Sequence, residues 1–250
     1  MTNLEYVSPS QISKMLKCMR WWFYDYVLHL PSPYKSRFAV GKAFHKSIEE
    51  NLTEKIKSGS LLDKPQVLSI ASDEFDKESL IVDDWVADRG REKDACIKVS
   101  GAHYDTLAPK IKPLSVEKKW ESSILGVKAI GIMDVVEKAR IRDTKFKGST
   151  PNQNSTIDFV QTVLYSKVAK EVLNLNIKEF IFDCFTPLKN EVRYTPIVKR
   201  SNKVMEQKLE TEVEIRISMI EAGLFPRTNP DMGPCSYCPH SEYCWKKDKS

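Results

Sequence analysis

The chain has 250 residues, of which 41% are hydrophobic and 29% charged, and a formal net charge of +5. These values exclude a disordered or fibrous chain and suit one globular domain, or one with a helical addition, long enough to bury a substantial core. No apolar run approaches the roughly 18 residues of a membrane span, and the mildly basic balance permits nucleic acid as a partner without arguing for it.

The start, Met1-Thr2-Asn3-Leu4-Glu5, has no basic flank and no apolar segment of the kind a secretory signal needs. The expected location is therefore intracellular, in the cytoplasm. Ser8-Pro9-Ser10-Gln11 reads as a helix start, with Ser8 as cap, Pro9 at the first helical position and Gln11 reaching back. The predicted helix runs past Cys18 into the aromatic run Arg20 to Tyr26, whose default role is core packing. Arg20 and the Trp21-Trp22 pair are also candidates for base contacts. Pro31-Ser32-Pro33 ends the segment. A second helix is predicted from Phe38 to Lys57, with Phe44, Ile48, Leu52 and Ile56 as its buried stripe. His45 and Glu49 share a neighbouring face, and on its own a lone helical histidine reads as structural.

Residues 61–108 read as helical and charged, with Arg89, Arg91 and Lys93 on a solvated face. Val116 to Ile124, containing Glu117, reads as a strand. Ile130, Ile132, Asp134 and Val136 then alternate with Gly131, Met133 and Val135 at a strand's period. Ile141 to Phe146 is a second short strand, pairing with the first across a turn near Lys138-Ala139. Asp143 and Lys145 point the same way on it, and Asp134 joins them if the strands are neighbours. Two carboxylates and a lysine then occupy one small volume. A hard divalent cation takes oxygen ligands of this kind, and a cation there can activate water and polarise a phosphate, with Lys145 steadying the developing charge. The competing reading is a solvated hairpin, since D-x-K is a common tripeptide.

Ser155-Thr156-Ile157-Asp158 suggests the cap of a helix whose apolar stripe is Val160, Leu164, Val168 and Val172. Gln161 and Tyr165 lie four apart on the adjacent face and can point into one cleft. Two further strands, Phe180 to Phe185 and Tyr194 to Val198, precede a long helix from Ser201 to Ala222, closed by Gly223. The order of elements predicts an α/β sheet with a helical N-terminal subdomain. In the tail, Cys235-x-x-Cys238 is followed by Cys244, in a segment that Gly233-Pro234 and Pro239 mark as a loop. Three clustered cysteines in an intracellular protein suit zinc or an iron–sulfur cluster rather than disulfides. A fourth ligand is missing locally, with Cys18, Cys96, Cys184 and His240 as candidates, and spacing does not choose between the metals.

Six features in order carry a resemblance. They are the helix ending at Cys18, Gly41-Lys42-Ala43-Phe44-His45 (G-x-x-x-H), Gly131-Ile132-Met133-Asp134 (G-x-x-D), Asp143-Thr144-Lys145 (D-x-K), Gln161 to Tyr165 (Q-x-x-x-Y), and the terminal cysteines. Over nearly its whole length the chain resembles the PD-(D/E)XK nuclease superfamily. Within it, the chain is similar to RecB-type nucleases with an iron–sulfur cluster, such as the CRISPR-associated exonucleases and the AddB nuclease domain. The resemblance implies a restriction-endonuclease-like mixed sheet flanked by helices, in one nuclease domain. Residues 1–110 would be mainly helical, 111–200 the catalytic sheet and helix, and 201–250 a helix and a cysteine-rich tail.

It further implies that His45, Asp134, Asp143 and the Thr144 carbonyl ligate Mg²⁺ or Mn²⁺ and that Lys145 is the catalytic lysine. Gln161 and Tyr165 would orient DNA and the site. Cys18 would complete a [4Fe–4S] site with Cys235, Cys238 and Cys244, zinc being the alternative. The implied activity is metal-dependent DNA hydrolysis, as an exonuclease, with DNA and the proteins of a CRISPR, phage or repair pathway as partners. The alternatives are a non-cutting DNA-binding or adaptor protein on the same fold and a zinc-stapled interaction protein. The chain departs from the family pattern at Met19, where proline is usual, at Arg142, where an apolar residue is usual, in the short link between Asp134 and Asp143, and at Phe146-Lys147.

Overall fold

The computed structural model describes residues 4–152, 159–231 and 233–246. The cap expected at Ser155 to Asp158 lies outside them. Eight helices and five strands follow in the order α1 (Pro9–Lys17), α2 (Met19–Tyr26), α3 (Ser36–Ser58), α4 (Lys64–Glu78), α5 (Arg89–Thr106), β1 (Ser115–Ile124), β2 (Val127–Val136), β3 (Arg140–Phe146), α6 (Phe159–Val172), β4 (Glu179–Pro187), β5 (Val192–Lys199), α7 (Lys203–Glu221) and α8 (Ser241–Lys246). The strands form one mixed sheet in the order β1-β2-β3-β4-β5. All neighbours are antiparallel except β3 and β4, whose parallel pairing is bridged by α6. The α/β class expected from the sequence is therefore the one found. Among the described residues, no helix is long and apolar enough to cross a membrane.

Helices cover both faces of the sheet. One core joins Ile12, Met15 and Trp22 of the N-terminal helices to Val163, Leu164, Leu209 and Val213 of α6 and α7, over Met133, Ile141, Phe180 and Phe182. A second packs Phe44, Ile48 and Leu52 of α3 and Val99 of α5 against Val135 and Phe185, and a third joins Val40 and Ala43 of α3 to Phe75 of α4 and Cys96 of α5. Of the stripe expected on α3, Ile56 is exposed, and so is Val172 at the end of α6. Both sit in the last turns of their helices, beyond the sheet that buries the earlier residues.

The single N-terminal helix expected through Cys18 is two. Ser8 caps α1 by accepting from the Gln11 amide, but the Gln11 side chain accepts from the Trp22 indole instead of reaching back. Cys18 is extended, with φ −165° and ψ 118°, and breaks the chain between α1 and α2. The tail binds at this break, where the Arg20 amide donates to the Pro226 carbonyl and the Thr228 hydroxyl to the Lys17 carbonyl. The aromatic run is packed as its default reading implied, with Trp22 in the core and Trp21 edge-on to Tyr237. Arg89 and Lys93 both pair with Asp76 of α4, while Arg91 remains on a solvated face.

Two features set the geometry of the sheet's first half. The β1–β2 hairpin turns at Leu125 and Gly126, both at positive φ, which a two-residue type I′ turn requires. That turn pairs Ile124 with Val127 and carries the register down to Val116 opposite Val135. Trp120 faces Gly131 across the ladder, and its indole lies where a side chain on residue 131 would go, 2.5 Å from a Cβ built there. The first glycine of G-x-x-D is thus a packing requirement. Gly131→Ala is expected to force the ring aside and to cost about 1–3 kcal/mol, as overpacking does. For a chain of this size each kcal/mol lowers the melting temperature by about 2–4 °C. A melting temperature equal to that of the wild type would show that the Trp120 ring has room to move.

Candidate active site

The site forms where two paired strands separate. β2 and β3 are registered only at Val135 with Arg142 and Val136 with Ile141. One step further along, at the positions of Asp134 and Asp143, they diverge. The strict alternation expected of β2 also fails here. Met133 packs into the core beside α6, whereas Val135, two residues on, packs against α3 and α5. Opposite Asp134 on the other side, Glu117 of β1 has φ +46°, a left-handed conformation that non-glycine residues rarely adopt. This local twist re-aims both strands at the point where their carboxylates are needed.

Three ligating side chains meet at the fork. His45 of α3, Glu117 and Asp134 offer atoms that all lie within 4.8 Å of one another. His45 Nδ1 is 3.3 Å from Asp134 Oδ2, and that oxygen also accepts from the Thr144 amide at 3.0 Å. Asp143 stands beside this trio. Its Oδ2 is 2.7 Å from Lys145 Nζ, and its Oδ1 accepts from the Gln161 side-chain amide at 3.1 Å. Asp134, Asp143, Lys145, Gln161 and His45 are thus brought together. Tyr165 is placed differently from the cleft-facing position expected of it. It is 4% exposed, its ring packs on Trp120 and Phe180, and its hydroxyl donates to the Ile132 carbonyl at 2.8 Å. It fixes β2 just before Asp134 rather than facing solvent.

Glu117 is the residue that sequence reasoning left as an ordinary strand member. The hairpin register would have found it, because a turn at Leu125-Gly126 sets residue 117 opposite residue 134. Burial pushes the Glu117 carboxyl up to about 7, and the adjacent Asp134 adds to the effect. Burial also raises the Asp143 carboxyl, against the Lys145 ammonium, which pulls it down. Carboxylates held this close repel unless protons or a cation intervene. The donor set of one imidazole and several carboxylate oxygens fits a hard divalent metal.

A second cluster lies at the α1–α2 break. Cys18, Cys235, Cys238 and Cys244 line one small cavity with Trp21, Tyr24 and Trp245 around it. Cys235 belongs to a short 3₁₀ turn, Pro234–Tyr237, and Cys244 to α8, so the expected loop carries two helical turns. Burial pushes the Cys238 thiol up to about 11; a backbone hydrogen bond from His240 opposes this, and the nearby sulfurs of Cys18, Cys235 and Cys244 reinforce it. The other candidates for a fourth ligand are elsewhere. Cys96 is buried against the Val40 and Ala71 carbonyls, Cys184 is in the sheet core, and His240 Nε2 is 2.6 Å from Asp25.

Fold, site and sequence agree on one class of protein, a nuclease. The sequence profile of the PD-(D/E)XK nuclease superfamily matches residues 6–245, and the chain belongs to that superfamily. Among solved structures, it is similar to a protein of Eubacterium rectale described as a putative exonuclease, at 13% identity and a TM-score of 0.59. That match covers 95% of this chain and 88% of the other. A second structure, SSO0001, aligns at 13% identity and a TM-score of 0.46 over 99% of this chain and 89% of its own. No curated protein matches the sequence at a significant level.

The Glu117 carboxyl gives a prediction whose sign follows from burial. Its pKa in the fold lies above the unfolded value, so the protonated form suits the fold. That contribution is complete below the unfolded pKa and is lost as pH rises through about 7. At pH 8 the metal-free protein therefore carries an unfavourable charge at residue 117. Glu117→Gln is expected to stabilise metal-free protein at pH 8 by about 1 kcal/mol, a value reduced for residual solvent screening, and to weaken Mn²⁺ binding. Melting curves and calorimetry would measure both. A variant that melts lower and binds Mn²⁺ as well as the wild type would remove Glu117 from the site.

Proposed function

We propose that this chain is a metal-dependent deoxyribonuclease that works as an exonuclease and carries a structural [4Fe–4S] cluster. The observation that carries the reading is the meeting of His45, Glu117 and Asp134 beside the Asp143–Lys145 pair at the fork of the sheet. His45, Asp134 and Asp143 would hold Mg²⁺ or Mn²⁺, with Glu117 and the Thr144 carbonyl beside them. A divalent cation supplies Lewis-acid polarisation of the scissile phosphate and neutralises its charge.

The remaining chemistry is the work of the chain itself. Lys145 Nζ, held by Asp143 at 2.7 Å, is placed to hold the attacking water or to meet the charge that develops on the phosphoryl oxygens. Gln161 fixes the Asp143 carboxylate from the α6 side through its 3.1 Å hydrogen bond. The Thr144 amide fixes that of Asp134. These contacts hold the acidic groups in place before substrate arrives, which lowers the reorganisation needed during reaction. The likeness to a protein described as a putative exonuclease supports the proposed mode of cleavage.

The catalytic reading predicts that Asp134→Asn and Asp143→Asn abolish cleavage of end-labelled linear DNA in Mg²⁺ or Mn²⁺. Lys145→Ala is expected to lower kcat by at least about 100-fold, the lower end for a positioned proton-transfer or electrostatic group, while DNA affinity stays near that of the wild type. Including circular DNA separates an exonuclease from an endonuclease. Wild-type rates from Lys145→Ala would overturn the assignment.

For the cysteines, four thiol sulfurs around one cavity match the donor set of a [4Fe–4S] cluster or of zinc. Cys18 comes from one end of the chain and the other three from the opposite end, so a group bound by all four closes nearly the whole sequence into a loop. Closing a loop of about 100 residues is worth roughly 4–5 kcal/mol in the entropic model for a disulfide, and a cluster acts in the same direction. Cys18→Ser and Cys238→Ser are expected to bleach the visible iron–sulfur absorption and to lower the melting temperature to a similar extent. Cys96→Ser and Cys184→Ser should leave the absorption intact. Colourless wild-type protein that contains zinc would replace the cluster by zinc, and loss of iron from Cys96→Ser alone would misplace the fourth ligand.

A further inference from the structure

The first turns of α3 form one wall of a cleft of about 690 Å³ that reaches the metal-ligating trio. Along this wall lie Arg37, Phe38, Gly41 and Lys42, one to two turns before His45, with Tyr34 just ahead of the helix. Phe38 is 56% exposed and forms a ring pair with Tyr34, centroids 5.7 Å apart and planes at 47°. What sets Phe38 apart from a lone exposed apolar residue is that it pairs with a second ring inside a cleft that ends at carboxylates.

The neighbouring residues hold this aromatic pair ready. The Tyr34 hydroxyl donates to Glu78 at 2.6 Å, and its backbone amide donates to Asp83 at 3.0 Å. Lys42 Nζ bonds the same Glu78 carboxylate at 2.9 Å and lies 5.2 Å from the Tyr34 ring centre. Tyr34 is thereby braced against α4. Glu78 balances the charge of Lys42, whereas Arg37, which is exposed, makes no ion pair among the described residues. The Arg37 guanidinium crosses over Gly148, just past β3, and occupies the space that a Cβ on that residue would need. A positive group thus spans the mouth of the cleft between α3 and the exit of β3.

Gly41 supplies an independent sign. A glycine inside a helix is less stable than alanine, and packing does not require one here, because a Cβ on residue 41 would meet nothing within 4 Å. The missing side chain opens onto the cleft one turn before His45. Helix stability is given up where space is kept.

We propose that this wall is a binding track for an unpaired DNA strand, whose base stacks on the Phe38–Tyr34 platform while its phosphates face Arg37. The proposal rests on the nuclease reading of the adjoining site and names its substrate class. An unpaired nucleotide offers a free π-face to an aromatic side chain, and base–aromatic stacking of this kind tolerates any sequence. In a duplex the faces are already stacked on one another, and only the phosphates remain for Arg37. The platform therefore selects for unpaired strands and seats the chain so that a phosphodiester beyond the stacked base reaches Asp134.

The test is binding of full-length protein, in EDTA, to three fluorescent probes: oligothymidine, a duplex of equal length, and an abasic strand that keeps the phosphates but lacks bases. Phe38→Ala is expected to weaken oligothymidine binding about tenfold, within the range for loss of one stacked base. Phe38→Trp should restore it, and binding of the abasic strand should not respond to either change. With Mn²⁺, Phe38→Ala should raise KM for the unpaired strand far more than it lowers kcat. Gly41→Ala should melt no lower than the wild type, because its Cβ meets nothing within 4 Å, and Gly41→Leu should raise KM by filling the track.

Equal losses on oligothymidine and the abasic strand would overturn the stacking platform, as would unchanged oligothymidine affinity in Phe38→Ala. Conversion of a dimer to a monomer by Phe38→Ala, with DNA binding intact, would assign the face to a second copy of the chain. If the wild type binds as described but cuts no DNA in any metal, the nuclease reading fails and the track stands. If it cuts and Phe38→Ala leaves KM unchanged, the track fails and the nuclease reading stands.

Discussion

Three carboxylates held side by side across three strands are the constraint on which the rest of the architecture depends. Continued by one position, the registers of β1, β2 and β3 set Glu117, Asp134 and Asp143 at one level, and like charges directly opposite one another in a sheet are destabilising. The fold answers with an ammonium, an imidazole and a proton. Lys145 pairs with Asp143, His45 sits against Asp134, and the Glu117 carboxyl keeps its proton up to about 7. It also answers with geometry, because the strands separate there instead of continuing their ladders. A site that repels itself when empty favours whatever positive charge enters it, which is the property a metal-binding centre needs.

Holding β3 in place at such a fork is a separate problem, since only two registered positions join it to β2. Arg142 solves it from within the sheet. Its guanidinium bonds Glu137, at the end of β2, at 2.8 Å and Asp183 of β4 at 3.0 Å. Glu137 in turn accepts from the Lys112 amide, and Asp183 from the Tyr194 hydroxyl of β5. One buried side chain thereby ties β3 to both neighbours immediately before Asp143. A buried charge that is paired on two sides is tolerated, whereas removal of one partner is costly. The charge of Arg142 is thus compensated by Glu137 and Asp183, and not by Asp134 or Asp143.

How much of this was legible in the sequence depends on the range of the interaction concerned. The pairing of Asp143 with Lys145 follows from a strand's period of two, and the helices with Gly41-to-His45 and Gln161-to-Tyr165 follow from helical spacing, so these were readable. The break at Cys18 was not, because Lys17-Cys18-Met19 contains neither glycine nor proline and is imposed by the tail docking at Lys17 and Arg20. Glu117 was hidden for a related reason. Its role depends on a turn at Leu125-Gly126, and leucine in a left-handed turn position is not a hairpin signal. The burial of Tyr165 was also out of reach, since the ring meets Trp120 and Phe180, far away in sequence.

The two special regions of the molecule are joined by one short chain of contacts. His240 sits between Cys238 and Cys244 and is 4% exposed. Its Nε2 lies 2.6 Å from Asp25 of α2, which also pairs with Lys14 of α1, and 3.3 Å from the Ser32 hydroxyl. Ser32 in turn lines the cleft whose wall is Tyr34, Phe38 and Gly41 and whose end is His45, Glu117 and Asp134. The segment that carries the cysteines therefore bears directly on the segment that leads into α3. With the tail folded against the α1–α2 break, His240 reaches both Asp25 and Ser32, so that a residue 208 positions away in sequence touches the lip of the cleft. The segment that carries the cysteines thus reaches the cleft through His240, while the cysteines themselves line a separate cavity.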